Sequence, residues 1–114
     1  MRVTVLGGTG FIGRHVVRQL VDAGVDLTTI ARGTTPAADC APPALNADRH
    51  DAAALSEVLE SAAPTVVIDM IAYRERDIEI LLESLPASVR RLVVISSGDV
   101  YAARLFTLVA ARFG

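Results

Sequence analysis

The sequence contains no lysine and no tryptophan, and it has a single cysteine, Cys40. One cysteine excludes an intrachain disulfide and any metal site built from several thiolates, which fits a reducing compartment. His15 and His50 are the two histidines, and neither stands in a cluster of residues with metal-ligand spacing. We therefore expect no bound metal.

The balance of charge and the length of the apolar runs exclude two further classes of protein. Every basic residue is an arginine, and acidic residues outnumber them, so no basic face is available for nucleic acid or an anionic membrane. No apolar run reaches the roughly 18 residues that a membrane span requires. The apolar stretch before the first glycines is too short for a secretory signal. We therefore expect a cytoplasmic protein.

Strand-like and helix-like segments alternate along a chain that is 52% hydrophobic, mostly through valine, isoleucine, leucine and alanine. Strands are predicted at Arg2–Leu6, Asp26–Ala31, 65–69 and Arg91–Ser96, the last two buried, with a weaker one around 44–47. Helices are predicted before Gly24, between Asp51 and Pro64, and before Pro86. Right-handed crossovers between such strands give a Rossmann-type doubly wound parallel sheet in the order 3-2-1-4-5. We expect residues 1–114 to form this one domain.

A glycine-rich segment, GGTGFIG, follows the first predicted strand and opens the first predicted helix. Glycine permits a tight turn and lets a diphosphate approach the backbone, while free amides at the helix start meet the anion. The order strand, glycines, helix predicts a dinucleotide-binding loop, with a purely structural turn as the alternative.

Arg32 follows the second predicted strand, where a carboxylate would bind the ribose hydroxyls of NAD. Arginine instead suits a 2′-phosphate, because its guanidinium is always charged and matches phosphate geometry. The sequence therefore favours NADP and leaves NAD possible. An exposed solubilising arginine is the alternative.

These motifs together resemble the extended short-chain dehydrogenase/reductase family, and within it the NAD-dependent epimerases and dehydratases. The glycine loop is similar to the family's GxxGxxG, and NADRHD resembles the segment whose acid reaches the adenine. VVIDMIAY and VVISSGDVY resemble strands that end beside the cofactor and deliver the catalytic serine, which here is Ser97. The cofactor-binding residues that the resemblance and the motifs imply are Gly7, Gly10, Phe11, Ile12, Gly13, Arg32, Asp48, Met70, Ile71 and Ala72.

In that family a serine orients the substrate carbonyl or hydroxyl, and a tyrosine exchanges its proton beside a lysine four residues further on. An unperturbed tyrosine, with a pKa of about 10, is a poor base at neutral pH without a neighbouring cation. The chain has only Tyr73 and Tyr101, followed at that spacing by Asp77 and Leu105. We therefore expect no turnover by this chain alone.

Two interpretations of the chain follow. The first is the cofactor-binding part of an oxidoreductase-type epimerase or dehydratase, cut before its tyrosine and lysine, whose full-length parent acts on a sugar nucleotide or similar hydroxyl or carbonyl substrate. The second is a noncatalytic dinucleotide-binding module.

The last residues of the chain depart from the resemblance, which extends from Met1 to about Tyr101. Leu105, Leu108 and Val109 share one helical face, so residues 102–114 form either a capping helix or an altered end. In the predicted sheet the outermost strand is Arg91–Ser96, whose LVVIS is apolar and free of proline. We expect self-association through this edge or poor solubility, because its backbone groups are open to another chain.

Overall fold

A computed structural model of the chain describes residues 1–8, 11–32 and 43–96. Its five strands are β1 (Arg2–Leu6), β2 (Asp26–Ala31), β3 (Ala44–Asn46), β4 (Val66–Ala72) and β5 (Arg91–Ser96). Its helices are α1 (Phe11–Asp22), α2 (Ala52–Ala62) and α3 (Glu75–Ser84). The strands form one parallel sheet in the order β3-β2-β1-β4-β5, which confirms the predicted Rossmann-type topology. None of these helices is long and apolar enough to cross a membrane.

The two faces of the sheet pack against different helices, because side chains alternate between the faces along each strand. Leu6, Ile30 and Val67 form a buried cluster with residues of α2 and α3. Val3 and Val5 point to the opposite face, where residues of α1 pack against them. The inner strands are therefore covered on both sides, as their continuous apolar runs predict.

The central strand β1 pairs with strands that lie far apart in the chain. Arg2 is aligned with Asp26 of β2, and Val3 is aligned with Val66 of β4. Just before β4, the amide and hydroxyl of Thr65 both donate to the Arg2 carbonyl, at 2.8 and 3.1 Å. The strand order reverses between β1 and β4, and in open α/β sheets ligands bind at the carboxyl ends of the strands beside such a point.

β4 runs further than the sequence indicated, reaching Ala72 rather than ending at Asp69. Asp69 is aligned with Val94 of β5, and Ala72 is aligned with Ser96, so β4 carries one extra residue in this interval. This is a β-bulge, which bends a strand and redirects the side chains at its end. The bulge lies at the carboxyl edge of the sheet, where the Ile71 side chain lies beside Gly7 of the glycine loop.

β5 has the predicted bounds, but the prediction that it is buried is wrong for one of its faces. Leu92 and Val94 pack against the α3 side of the sheet. Val93 and Ile95 on the other face are 39% and 40% exposed. No element within the described ranges covers that face, since α1 packs over β1 and β2. The expected final helix around Leu105 and Val109 lies outside the described residues.

The second helix begins and ends as its sequence indicates, with one strained residue. Asp51 accepts a hydrogen bond from the Ala54 amide at 3.1 Å, which confirms it as the N-cap. At the other end Ala63 takes a left-handed conformation, with φ 47° and ψ 54°, and its amide donates to the Leu59 carbonyl. Glycine is the usual residue at this position, because a Cβ is unfavourable there.

Replacing Ala63 with glycine should therefore stabilise the fold. We expect Ala63→Gly to raise the free energy of unfolding by about 0.5–1 kcal/mol. The variant relieves the left-handed strain, and the greater entropy of glycine in the unfolded chain offsets part of that gain. Ala62→Gly, at the last residue of the helix, should instead lower the free energy of unfolding, by at most about 1 kcal/mol. Urea denaturation followed by circular dichroism measures both, and equal effects of the two variants would contradict the assignment.

Candidate functional site

The glycine loop lies where β1 meets α1, and two of its glycines are required by the space around them. Gly7 has a φ of +81°, and a Cβ at this position would collide with the Ile71 side chain. Gly13 lies on the first turn of α1, where a Cβ would collide with the Gly7 carbonyl oxygen. The helix therefore begins in direct contact with the turn, which places its first amides beside the carboxyl end of β1.

A cleft of about 170 Å³ opens beside this turn, at the carboxyl ends of β1, β2 and β4. Leu6, Ile30 and Ile71 give it apolar walls, whereas Arg32 and Asp48 carry opposite charges at its rim. The remaining residues that line it are Ala31, Ala47, Arg49, His50 and Tyr73. Apolar walls with a few convergent polar groups are typical of a site for a flat, partly polar ligand.

Asp48 and His50 form a pair on the segment between β3 and α2. The His50 amide donates to Oδ1 of Asp48 at 2.9 Å, and Nδ1 of the His50 ring lies 3.2 Å from the same oxygen. The hydrogen bond from the His50 amide is the main reason why the pKa of the Asp48 carboxyl lies below its ordinary value. The charges of Arg32 and His50 lower that pKa further. Asp48 is therefore an ionised acceptor at the rim of the cleft at neutral pH.

Arg49, which is one of the residues that line the cleft, forms a buried ion pair with Asp69. Nη1 of Arg49 donates to both carboxylate oxygens of Asp69, at 2.6 and 2.5 Å, and Nη2 donates to the Asp77 carbonyl at 2.6 Å. Arg49 is 5% exposed and Asp69 is fully buried. Burial raises the pKa of the Asp69 carboxyl, and the Arg49 guanidinium opposes that shift. Removing one partner of such a pair typically costs about 3–5 kcal/mol, because the other charge is left buried and alone.

Asp77 completes the contacts behind the cleft from the first turn of α3. Its Oδ2 accepts hydrogen bonds from the amides of Tyr73 and Arg74, at 2.9 and 3.1 Å. Its Oδ1 lies 3.2 Å from Nε2 of His50. One carboxylate therefore holds the turn between β4 and α3 and also contacts the segment after β3.

The sequence-predicted site residues are only partly brought together. Arg32, Asp48 and Ile71 meet in the cleft, and the first two lie on opposite sides of β3 in the chain. Met70 packs on the α1 side of the sheet, and Ala72 is buried in the cluster that contains Ile78. Neither is among the cleft-lining residues.

The described residues of the glycine loop form the turn beside the cleft and are not among the residues that line it. Gly7 and Gly13 are in mutual contact, and Phe11 begins α1. The side chain of Ile12 is 60% exposed at the start of that helix. Gly10 and Ser97 lie outside the described residues, so their predicted roles stay predictions.

Arg49, Asp69 and Asp77 were missed by the sequence reasoning, and His50 was considered only as a metal ligand. Asp69 carried a usable signal, because an ionisable residue inside a buried apolar strand requires a partner. Which arginine supplies that partner depends on tertiary contacts. Across the described ranges no group of three or more histidine, cysteine or carboxylate side chains could hold a metal ion.

The lineage of the chain is shown by its match to a protein family. The model of the NAD dependent epimerase/dehydratase family matches residues 3–106, nearly the whole chain. The chain belongs to this family. The matched region contains the glycine turn, the cleft and the buried ion pair, so the site described above lies within an epimerase/dehydratase NAD(P)-binding domain.

Two curated relatives of this epimerase/dehydratase chain have different names. The chloroplast stem-loop binding protein of 41 kDa b from Arabidopsis thaliana is 29% identical over an alignment 114 positions long, and the alignment covers 88% of this chain and 30% of the relative. The 2'-dehydrokanamycin reductase of Streptomyces kanamyceticus is 33% identical over 100 residues, covering 85% and 28%. The chain thus spans less than a third of the length of either relative.

Solved structures similar to this epimerase/dehydratase domain include complexes with both nicotinamide cofactors. The UDP-glucose 4-epimerase of Thermus thermophilus, in complex with NAD, is 25% identical with a TM-score of 0.61, covering 74% of this chain and 33% of that one. The leucoanthocyanidin reductase of Vitis vinifera, in complex with NADPH, has a TM-score of 0.66 at 20% identity, covering 81% and 35%. At that identity the second likeness concerns the fold.

The contact between Gly13 and the Gly7 carbonyl gives a test of the glycine turn. Gly13→Ala would push α1 away from β1, so we expect at least a tenfold loss of NADPH affinity and a loss of about 1–3 kcal/mol in stability. Gly24→Ala is the matched control at the other end of α1, where φ is +75° and no atom lies within 4 Å of the new Cβ. It should cost about 1–2 kcal/mol from backbone strain and leave the affinity unchanged. Calorimetric titration that finds wild-type affinity in Gly13→Ala would contradict this role.

Proposed function

We propose that the chain is a dinucleotide-binding domain whose cleft takes the adenosine end of the cofactor, with NADP preferred over NAD. The observation that carries the proposal is Arg32, which follows β2 directly and lines the cleft. An exposed guanidinium at the carboxyl end of β2 can pair with a 2′-phosphate on the ribose. The same position holds no carboxylate that would favour the unphosphorylated ribose.

The rest of the cofactor would follow the carboxyl edge of the sheet. The diphosphate would lie over the glycine turn, with Gly7, Gly10 and Gly13 allowing close approach and Phe11 and Ile12 opening the helix beneath it. The adenine would enter the cleft towards Asp48, against the apolar wall that includes Ile71. The nicotinamide end would extend past Met70 and Ala72 towards Ser97.

Both nicotinamide cofactors fit a fold of this kind, because the Thermus epimerase holds NAD and the Vitis reductase holds NADPH. A preference for NADP over NAD must therefore come from side chains at the end of β2 rather than from the fold. A charge-assisted bond of roughly 1.5–3 kcal/mol corresponds to about a tenfold to hundredfold preference.

For the whole protein we infer an oxidoreductase-type epimerase, dehydratase or reductase of the cytoplasm that acts on a sugar nucleotide or similar hydroxyl or carbonyl substrate. The family membership and the UDP-glucose 4-epimerase among the neighbours support this proposal. Ser97 would orient the substrate in this reaction, and residues 1–114 would be its cofactor-binding domain, with 102–114 as an atypical end.

A second function, a noncatalytic dinucleotide-binding module, is favoured by one observation. The chain contains no lysine, so it has no tyrosine followed at four residues by a lysine that could lower the tyrosine pKa. Cofactor binding is common to both proposals, and turnover by the whole protein separates them.

The cofactor proposal is tested by measuring the affinities of NADPH and NADH for the 114-residue chain. We expect NADPH to bind about tenfold to hundredfold more tightly. Arg32→Ala should narrow that difference, whereas Arg18→Ala, which removes an exposed arginine of α1, should leave it unchanged. Equal wild-type affinities in calorimetric titration would contradict the NADP preference. A folded chain that binds neither cofactor would overturn the function itself.

We also propose that the isolated chain self-associates through β5. Within the described residues β5 pairs only with β4, so its other edge carries unpaired backbone amides and carbonyls. Val93 and Ile95 add an exposed apolar face to this edge. Open strands of this composition favour pairing with another chain, and a charge on the strand opposes it.

Hydrogen exchange and light scattering test this association. The amides of residues 92–96 should become more protected as the protein concentration rises. Val93→Lys should reduce the increase in protection with concentration. Val21→Lys should leave that increase unchanged, because Val21 lies on α1 and is equally exposed, at 39%. A monomer at high micromolar concentration whose β5 amides exchange freely would rule the association out.

A further inference from the structure

Arg49 connects the segment after β3, whose residues line the cleft, to β4 and to α3. Its backbone lies between Asp48 and His50, both of which line the cleft. Its guanidinium reaches β4 through the two oxygens of Asp69 and α3 through the carbonyl of Asp77. Since a guanidinium is planar and donates in fixed directions, these bonds fix the orientation of the side chain as well as its position.

We propose that Arg49 is a positioning residue of the nucleotide pocket, which acts by holding the Asp48 carboxylate at the place where it meets the base. This inference rests on the proposed function, because it assumes that the cleft takes the adenosine end of a dinucleotide. Arg49 acts through its neighbours. Its backbone carries Asp48 on one side and His50 on the other, so anchoring the guanidinium anchors both.

The wall opposite Asp48 depends on the same ion pair. Oδ1 of Asp69, which accepts from Arg49, also accepts from the Ile71 amide at 3.0 Å. Ile71 lines the cleft and lies next to Gly7 of the glycine turn. The pair therefore sets the separation between the polar rim of the cleft and the apolar wall on β4.

A role in stability alone would not require this arginine. Apolar residues of similar volume often replace a buried ion pair without loss of stability. The Nε of Arg49 is buried and finds no hydrogen-bond acceptor among the described residues. A buried donor without a partner is unfavourable for folding, which points to a geometric rather than a stabilising role.

The position of Asp48 decides which purine the cleft accepts. Its Oδ1 is engaged by His50, whereas within the described part of the chain Oδ2 takes no hydrogen bond. The exocyclic amine of adenine can donate to such an oxygen. Hypoxanthine carries a carbonyl oxygen at that point, which would face the carboxylate without a donor between them. Discrimination between the two bases therefore reports where Asp48 lies.

The experiment compares the affinities of NADPH and of its analogue in which hypoxanthine replaces adenine, measured by calorimetric titration of the 114-residue chain. For the wild type we expect NADPH to bind about tenfold or more tightly than the analogue. The double variant Arg49→Met with Asp69→Val removes both buried charges. It should still fold, with some loss of stability because the Ile71 amide and the Asp77 carbonyl lose their partners. It should lose most of the discrimination, because among the described residues only the His50 contacts then hold the Asp48 carboxylate.

Arg49→Lys is a second variant that leaves Asp69 and its bond to the Ile71 amide in place. Its single ammonium can pair with Asp69 but lacks the second arm that reaches the Asp77 carbonyl, so the discrimination should fall less than in the double variant. Arg76→Met is the control, because Arg76 is an exposed arginine of α3 that pairs with Glu79. It should keep the wild-type ratio between the affinities of NADPH and of the hypoxanthine analogue.

The possible results separate this inference from the function on which it rests. Wild-type discrimination retained in either folded Arg49 variant would overturn the positioning role alone. Weakened binding of both dinucleotides by the same factor would also overturn it, since a structural defect does not distinguish the bases. A folded wild-type chain that binds neither dinucleotide would overturn the proposed function and the inference together.

Discussion

A buried ion pair between Arg49 and Asp69 connects two parts of the chain that line the cleft. Arg49 and Asp69 carry opposite charges into a region from which water is excluded, and neither could remain there alone. Their attraction joins the segment after β3 to the end of β4, two parts of the chain that share no backbone pairing. The walls of the cleft are thereby held together by electrostatics, whereas the sheet beneath them is held by apolar packing.

The fold was largely predictable from the sequence because local and global signals agree. The short apolar runs, the glycine turn and the Asp51 cap each indicate one element, and the crossover rule orders the strands. The extension of β4 beyond Asp69 was not predictable, because a bulge depends on pairing with β5 rather than on local composition. The exposed face of β5 was missed for a similar reason, since an apolar residue does not show whether any element covers it.

The residues of the site were predictable where their position follows from the nearby sequence. They were not predictable where their position depends on tertiary contacts. Arg32 and Asp48 lie within two residues of the ends of β2 and β3, so topology alone places them at the carboxyl edge. Arg49, His50 and Asp77 are polar residues at ordinary surface-like positions in the sequence, and nothing near them indicates burial or contact. Their arrangement arises when α3 packs beside α2 and brings the Asp77 carbonyl to the guanidinium. Such a contact can be found only in three dimensions.

The position of β1 at the centre of the sheet has a consequence for how the chain folds during synthesis. β1 and β2 leave the ribosome early and can pair at once, but the other edge of β1 must wait for β4. At about 5–20 residues per second this delay is on the order of seconds, during which an apolar strand has an open side. The open edge of β1 is covered when β4 pairs with it and the amide and hydroxyl of Thr65 donate to the Arg2 carbonyl.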